Sequence, residues 1–257
     1  MTHPSPGSFS LVNGINFYYE IHGQGSPLVL IHGGGSTINT NFSKVLPHFA
    51  RSHQVIAVEL QAHGHTADRD QHSSFEQDAD DVAELLNQLD IHFADILGFS
   101  NGGNTAMQLG IRHPKKVGKL VLASTFYKQS GMPDEFWAGM ANASFDDMPQ
   151  TYKDAFSEIN PDPAALLAMF NRDAYRMQTF TDWSDDIIRS IQAPSLVVIG
   201  DQDIIRPEHA VEMYRLLPNA RLSILPGNHG SYLGEAMTPG ESALVGLFVE
   251  MVEEFLM

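Results

Sequence analysis

The sequence predicts an α/β fold, a mostly parallel sheet covered by helices on both faces and interrupted by an inserted helical lid. Continuous apolar runs such as Pro27-Leu28-Val29-Leu30-Ile31, Lys119-Leu120-Val121-Leu122-Ala123 and Ser195-Leu196-Val197-Val198-Ile199 carry no polar alternation, as strands buried on both faces require. These runs alternate with helical patterns, which is the signature of β-α-β crossovers. The rhythm then stops between about 126 and 190, where Pro133, Pro149, Pro161 and Pro163 punctuate a helical stretch. The expected division is a core of residues 1–125 and 191–257 with a lid of residues 126–190.

Each element has its own local reason. Phe9 to Glu20 alternates around Asn13-Gly14, a dipeptide suited to a two-residue hairpin. After the first buried run, a helix is expected around Phe42–Ala50, then a strand over Gln54-Val55-Ile56-Ala57-Val58. Ser74-Phe75-Glu76-Gln77 reads as a capping box that opens an amphipathic helix reaching Leu89. Phe93 to Leu97 is a strand and a helix starts near Asn101. Pro207 suits the first turn of a helix over Glu208–Leu217. A strand over Arg221–Leu225 and a helix over Glu241–Phe255 close the chain.

Composition narrows the functional classes. The 257 residues are 43% apolar, enough for a packed core. A net charge of −16 argues against nucleic acid, an anionic membrane surface or a polyanionic substrate as partner. There is no cysteine, so disulfides, thiolate metal sites and a cysteine nucleophile are excluded. Met1 to Gly7 lacks a basic start and an apolar core, and no run approaches the ~18 apolar residues that span a bilayer. A cytoplasmic protein with a small-molecule substrate is expected; pairing with a second copy of the chain is left open.

The chemistry is concentrated at Gly98-Phe99-Ser100-Asn101-Gly102, which lies between a strand and a helix. That G-x-S-x-G pattern builds a sharp turn that presents the serine hydroxyl at the sheet's C-terminal edge. The five residues alone would arise readily by chance, so the strand–turn–helix setting carries the weight. A serine hydroxyl needs a base, and the base needs a third group to fix its tautomer. Beyond the next-to-last strand, Asp201 and Asp203 are the acid candidates. Asp201 abuts the strand end, whereas Asp203 sits mid-loop with sideways reach; Asp203 is favoured and Asp201 is the alternative. Of twelve histidines only His209 and His229 follow. His209 falls in the first turn of a helix and reads as a solvated polar residue. His229, bracketed by glycines in Pro226-Gly227-Asn228-His229-Gly230, is the favoured base.

Together, the His32-Gly33-Gly34-Gly35 turn after the first buried strand, the Gly98–Gly102 elbow and the Asp203 and His229 loops resemble the α/β-hydrolase superfamily. The resemblance runs from Phe9 to Leu256. It implies Ser100 as nucleophile, Asp203 as acid and His229 as base, with the backbone N–H groups of Gly34 and Asn101 as an oxyanion hole and no cofactor or metal. Such donors are each worth about 3–4 kcal/mol to a transition state. A serine at the elbow excludes the aspartate-nucleophile dehalogenases and epoxide hydrolases. One segment departs from the pattern. Where the family carries Asp followed by a Gly-His-Gly turn ending in Ser, this chain reads Glu59-Leu60-Gln61-Ala62-His63-Gly64-His65-Thr66. The H-x-H start of a metallo-hydrolase motif is not completed, because positions 67 and 68 are Ala67 and Asp68. A solvated loop is expected there.

The lid segment holds eleven of the chain's 24 aromatic residues together with five methionines. Part of this set must seat the lid; Phe126, Trp137 and Met140 are candidates to line an apolar pocket. The expected function is hydrolysis of a small to medium, largely apolar carboxylic ester or lactone. A perhydrolase, a carbon–carbon bond hydrolase or a ligand sensor on the same scaffold would carry the same residues.

Overall fold

The computed structural model describes residues 7–240 and 242–257. Most of the N-terminal stretch judged for a leader (residues 1–6), and Glu241 as the start of the last helix, lie outside them. In chain order the strands are β1 (Ser8–Val12), β2 (Ile15–His22), β3 (Ser26–Ile31), β4 (His53–Val58), β5 (Ala94–Phe99), β6 (Val117–Ala123), β7 (Ser195–Gly200) and β8 (Ala220–Leu225). They form one sheet in the order β1-β2-β4-β3-β5-β6-β7-β8. The β1–β2 and β2–β4 pairs are antiparallel and all later pairs are parallel. The first hairpin turns at Asn13 and Gly14 with φ of 45° and 92°, the doubly left-handed backbone that this dipeptide tolerates.

Ten α-helices are described. These are α1 (Ile38–Phe42), α2 (Leu46–Phe49), α3 (Phe75–Gln88), α4 (Asn101–Arg112), α5 (Asp134–Ala141), α6 (Gln150–Ile159), α7 (Pro163–Gln178), α8 (Asp185–Arg189), α9 (Pro207–Leu216) and α10 (Leu244–Leu256). Strand residues alternate between two apolar layers. Val29 and Ile31 of β3 belong to the apolar layer that also holds residues of α3, α4 and α9, while Leu28 and Leu30 belong to the layer that holds residues of α1, α2 and α10. Ser74 caps α3, its hydroxyl accepting from Gln77 N at 3.1 Å. The single helix expected over residues 42–50 is instead two short ones, α1 and α2. Pro47 stands in the first turn of α2 and has no N–H to continue a helix from α1, so the chain restarts there. Helices α5 to α8 form an insert between β6 and β7. It has a small core of its own from Met148, Phe156, Leu166 and Met169, while Met177, Phe180 and Trp183 join the main core.

The parallel strands all end on one edge, and the elbow after β5 lies there against β3. A methyl group at Gly98 would stand 2.2 Å from the carbonyl oxygen of Gly102, and one at Gly102 would stand 2.1 Å from the carbonyl oxygen of Ile31. Gly98→Ala should therefore lower stability by about 1–3 kcal/mol, the usual cost of overpacking. Gly139→Ala, at an α5 position with no neighbour within 4 Å, should raise it by roughly 0.5–1 kcal/mol through better helix propensity. Urea midpoints of the two variants check both; equal midpoints would mean that the elbow tolerates a side chain.

Candidate active site

Ser100 joins β5 to α4 with φ 54° and ψ −124°. A non-glycine residue in that region costs on the order of 1–3 kcal/mol and persists only where the surroundings enforce it. Here the Ser100 N–H donates to Ala123 O of β6 at 2.9 Å, and the Ser100 carbonyl accepts from Gly103 N at 2.8 Å to start α4. Among the described residues the Ser100 hydroxyl makes no hydrogen bond, and it lines a cavity of about 420 Å³.

The loop after β7 carries Asp203 and the loop after β8 carries His229. Their Oδ1 and Nδ1 atoms lie 2.7 Å apart. A carboxylate can only accept there, so His229 holds its proton on Nδ1 and leaves Nε2 free to act as a base. The His229 ring packs on Phe99, with ring centres 4.8 Å apart. Burial opposes charge on Asp203, but the hydrogen bond and charge of His229 outweigh it. Further bonds from Ser124 Oγ at 2.5 Å and Ile205 N at 3.1 Å help to hold the carboxyl below the usual carboxylate range. Asp201 points elsewhere, accepting from Gly227 N at 2.8 Å. Its carboxylate shapes the His229 loop from outside.

Ser124 and Tyr232 were not singled out in the sequence. Ser124 follows the last residue of β6 with φ 48°, and its only proton goes to Asp203. The buried Tyr232 hydroxyl, 2.7 Å from Ser124 Oγ, is then the donor in that contact. A left-handed serine one position beyond a buried strand is the signal that could have drawn attention to it, but no short motif encodes it.

The turn after β3 is pinned at several backbone groups. Gly33 N donates to Asn41 Oδ1 at 2.8 Å, Gly33 O accepts from His32 Nδ1 at 2.7 Å, and Gly35 N donates to Asp173 Oδ2 at 2.6 Å. The N–H groups of Gly34 and Asn101 have no acceptor among the described residues, and both residues line the cavity with Ser100. Phe126 and Met140 line it too, with Met132, Phe136, Met148, Phe170 and Met177. Trp137 does not. It stands behind the wall, edge-on to Phe126 and stacked on Phe180, with Nε1 bonded to Gln129 O at 2.7 Å. Satisfying the indole N–H turns that ring away from the cavity.

Two histidines expected to be solvated are buried. His209 stacks on Tyr127 and accepts from Tyr127 N at 3.2 Å, because the first turn of α9 faces the exit of β6 rather than water. Burial is the main cause that pushes its pKa down. His63 is 1% exposed. Its Nδ1 lies 2.9 Å from Gln61 O and its Nε2 lies 2.9 Å from Asp173 Oδ2. Both partners are acceptors, so both nitrogens carry protons and the ring is an imidazolium. Burial opposes that charge, but Asp173 overcomes it, so the His63 pKa is raised while that of Asp173 falls. His32, 4.8 Å away, has one donating and one accepting nitrogen, the latter taking Leu60 N at 3.0 Å, so it is neutral. Burial and the charge of His63 push its pKa down to about 3. The loop expected to be solvated is instead covered by α7 of the insert.

These features place the chain in a known class. It belongs to the alpha/beta hydrolase fold family, whose sequence profile matches residues 26–165. Among its relatives is a non-heme chloroperoxidase of Kitasatospora aureofaciens, 28% identical over 89% of this chain and 92% of that protein. The pimeloyl-[acyl-carrier protein] methyl ester esterase of Neisseria meningitidis is also 28% identical, over 88% of this chain and 77% of its own. Among solved structures, the enol-lactonase of Burkholderia xenovorans LB400 shares the fold with a TM-score of 0.76 at 20% identity, covering 96% of this chain and 99% of that one.

A raised histidine pKa is linked to stability. The contribution of His63 is fully present below its unfolded value of about 6.5 and is lost as pH rises through its higher folded value. The melting temperature of the native protein should therefore fall on the alkaline side of neutrality. His63→Gln should melt lower overall and lack that component of the fall. Parallel melting curves from about pH 6 to 9 would mean that folding does not raise the His63 pKa.

Proposed function

We propose that this chain is a serine hydrolase that cleaves a small to medium, largely apolar carboxylic ester or lactone through an acyl-enzyme. In this reading the 126–190 insert is the lid of the site. The observation that carries it is the 2.7 Å contact between Asp203 and the proton-bearing Nδ1 of His229, beside a cavity lined by Ser100 and the free amides of Gly34 and Asn101. Ser100 Oγ attacks the substrate carbonyl as its proton passes to His229 Nε2. Asp203 stabilises the imidazolium so formed. The carbonyl oxygen, now negative, is held by the Gly34 and Asn101 N–H groups and by the N-terminus of α4. Collapse expels the alkoxide, which takes the proton from Nε2. Water then attacks the acyl-enzyme with His229 again as base, releasing the acid and restoring Ser100.

The substrate class rests on the walls. Phe126, Met132, Phe136, Met140, Phe170 and Met177 offer apolar, partly conformable surface, and about 420 Å³ falls within the range of small-ligand pockets. The esterase and lactonase among the relatives support this choice.

A panel of esters, lactones and diketones tests the reading. At least one ester or lactone should turn over continuously, and Ser100→Ala should lower kcat by roughly 10⁴-fold or more with the fold intact. A fluorophosphonate should label Ser100. Full activity in Ser100→Ala, or labelling of another serine, rejects the nucleophile.

The acid is tested separately. Asp203→Asn removes the acceptor that fixes the His229 tautomer and should cost about 10⁴-fold in kcat. Asp201→Asn disturbs only the loop and should cost less than about tenfold on the same scale. The reverse ranking would reassign the acid to Asp201.

A further inference from the structure

The carboxylate of Asp173 belongs to α7 of the insert, yet it ends beside the turn that follows β3. Its Oδ2 accepts from Gly35 N at 2.6 Å and from His63 Nε2 at 2.9 Å. A methyl group at Gly34 would stand 2.7 Å from Asn101 Nδ2 and 3.1 Å from that same oxygen. The Gly34 residue is thus held between the elbow on one side and the insert's carboxylate on the other. Gly33 is fixed by Asn41 and His32, both from the core; Gly35 N–H is fixed by the insert.

The same helix is clipped to the core by two more charges. Arg176, one turn beyond Asp173, pairs with the buried Asp78 of α3 at 2.8 Å, and Arg172 pairs with Asp68 at 2.8 Å and Asp70 at 3.0 Å. Arg172 acts on the loop that precedes α3 and touches neither Gly34 nor Gly35, so the two functions are separable on one helix.

We infer that Asp173 is a positioning residue for the oxyanion hole, through which seating of the insert aims the Gly34 N–H at the reacting carbonyl oxygen. This rests on the reading of Gly34 as an oxyanion donor. The donor N–H lies in the Gly33–Gly34 peptide, which shares the Gly34 Cα with the Gly34–Gly35 peptide that Asp173 holds. Without that acceptor the Cα is anchored from one side only, the donor tilts, and the loss is felt only in the transition state. Asp173 itself lines the cavity, but the apolar walls that bind the ground state, Phe126, Met132, Phe136, Met140, Phe170 and Met177, are unchanged. The signature is therefore a fall in kcat with KM little changed.

The test compares Asp173→Ala, Asp173→Asn and Arg172→Gln on the ester or lactone that the native protein turns over. A trifluoromethyl ketone of the same acyl chain serves as the transition-state probe. Asp173→Ala should lose about 100-fold in kcat, the scale of one oxyanion donor, with KM within about threefold and the ketone weakened in parallel with kcat/KM. Asp173→Asn keeps an oxygen acceptor for Gly35 N–H and should recover most of the loss. Arg172→Gln, which releases only the loop before α3 while the His63–Asp173 and Arg176–Asp78 pairs still seat α7, should stay within about twofold of native kcat.

Equal losses in Asp173→Ala and Arg172→Gln, or undiminished ketone binding by Asp173→Ala, would overturn the inference. If Asp173→Ala does not fold because His63 loses its counter-charge, His63→Gln and His63→Gln/Asp173→Ala carry the comparison. The first keeps the Gly35 bond and should retain kcat, and the second should lose it about 100-fold; equal kcat in the two overturns the inference. Failure of the underlying reading appears separately, as a native protein whose turnover survives Ser100→Ala.

Discussion

The elbow can exist only because two backbones touch. Gly102 lies so near the carbonyl of Ile31, and Gly98 so near Gly102 itself, that no side chain fits at either position. That contact sets where α4 leaves the sheet, and with it the left-handed serine between them. It also brings the turn after β3 alongside the N-terminus of α4, so that Gly34 and Asn101 line one cavity. The remaining groups arrive from loops after β7 and β8, which end on the same edge because the strands are parallel. The steric constraint and the shared strand direction together gather residues separated by nearly 200 positions of chain.

The polar interior beneath the insert follows a different logic. His63, Arg176 and Asp78 are buried, and Asp173 is partly so at the cavity edge, which places two positive and two negative charges largely out of water. Buried pairs of this kind add little over well-packed apolar residues, but leaving one member unpaired is costly. Their effect is to make mis-seated arrangements of α7 unfavourable. Asp78 shows the strain of this arrangement: burial pushes its carboxyl up even with the Arg176 guanidinium alongside.

What the sequence reveals is what short-range patterns encode. The buried strands, the Ser74 cap and the Asn13-Gly14 turn are each fixed by residues within a few positions of one another. The elbow belongs to the same group, and Asp203 was separable from Asp201 by its distance from the strand end. The His63–Asp173 contact joins positions 110 apart, and a polar residue flanked by glycine in a turn reads as solvated until a helix is laid over it. His209 misleads for the same reason. For Trp137 the composition of the segment locates an apolar wall, but which ring faces inward depends on the rotation of α5, set by a hydrogen bond to Gln129 that no periodicity reports. Ser124 is legible only once Asp203 is in place beside it.

The cavity wall also decides how the molecule ages. Met132, Met140, Met148 and Met177 face the space beside Ser100, and the chain has no cysteine to intercept an oxidant first. Each thioether becomes a polar sulfoxide on oxidation, whereas the Asp203–His229 couple contains no atom that reacts so readily. Oxidative damage would therefore wet the wall while leaving the proton-transfer groups whole. Under the proposed function, selectivity for apolar acyl chains would erode before the capacity for bond cleavage does, and methionine sulfoxide reduction would restore it.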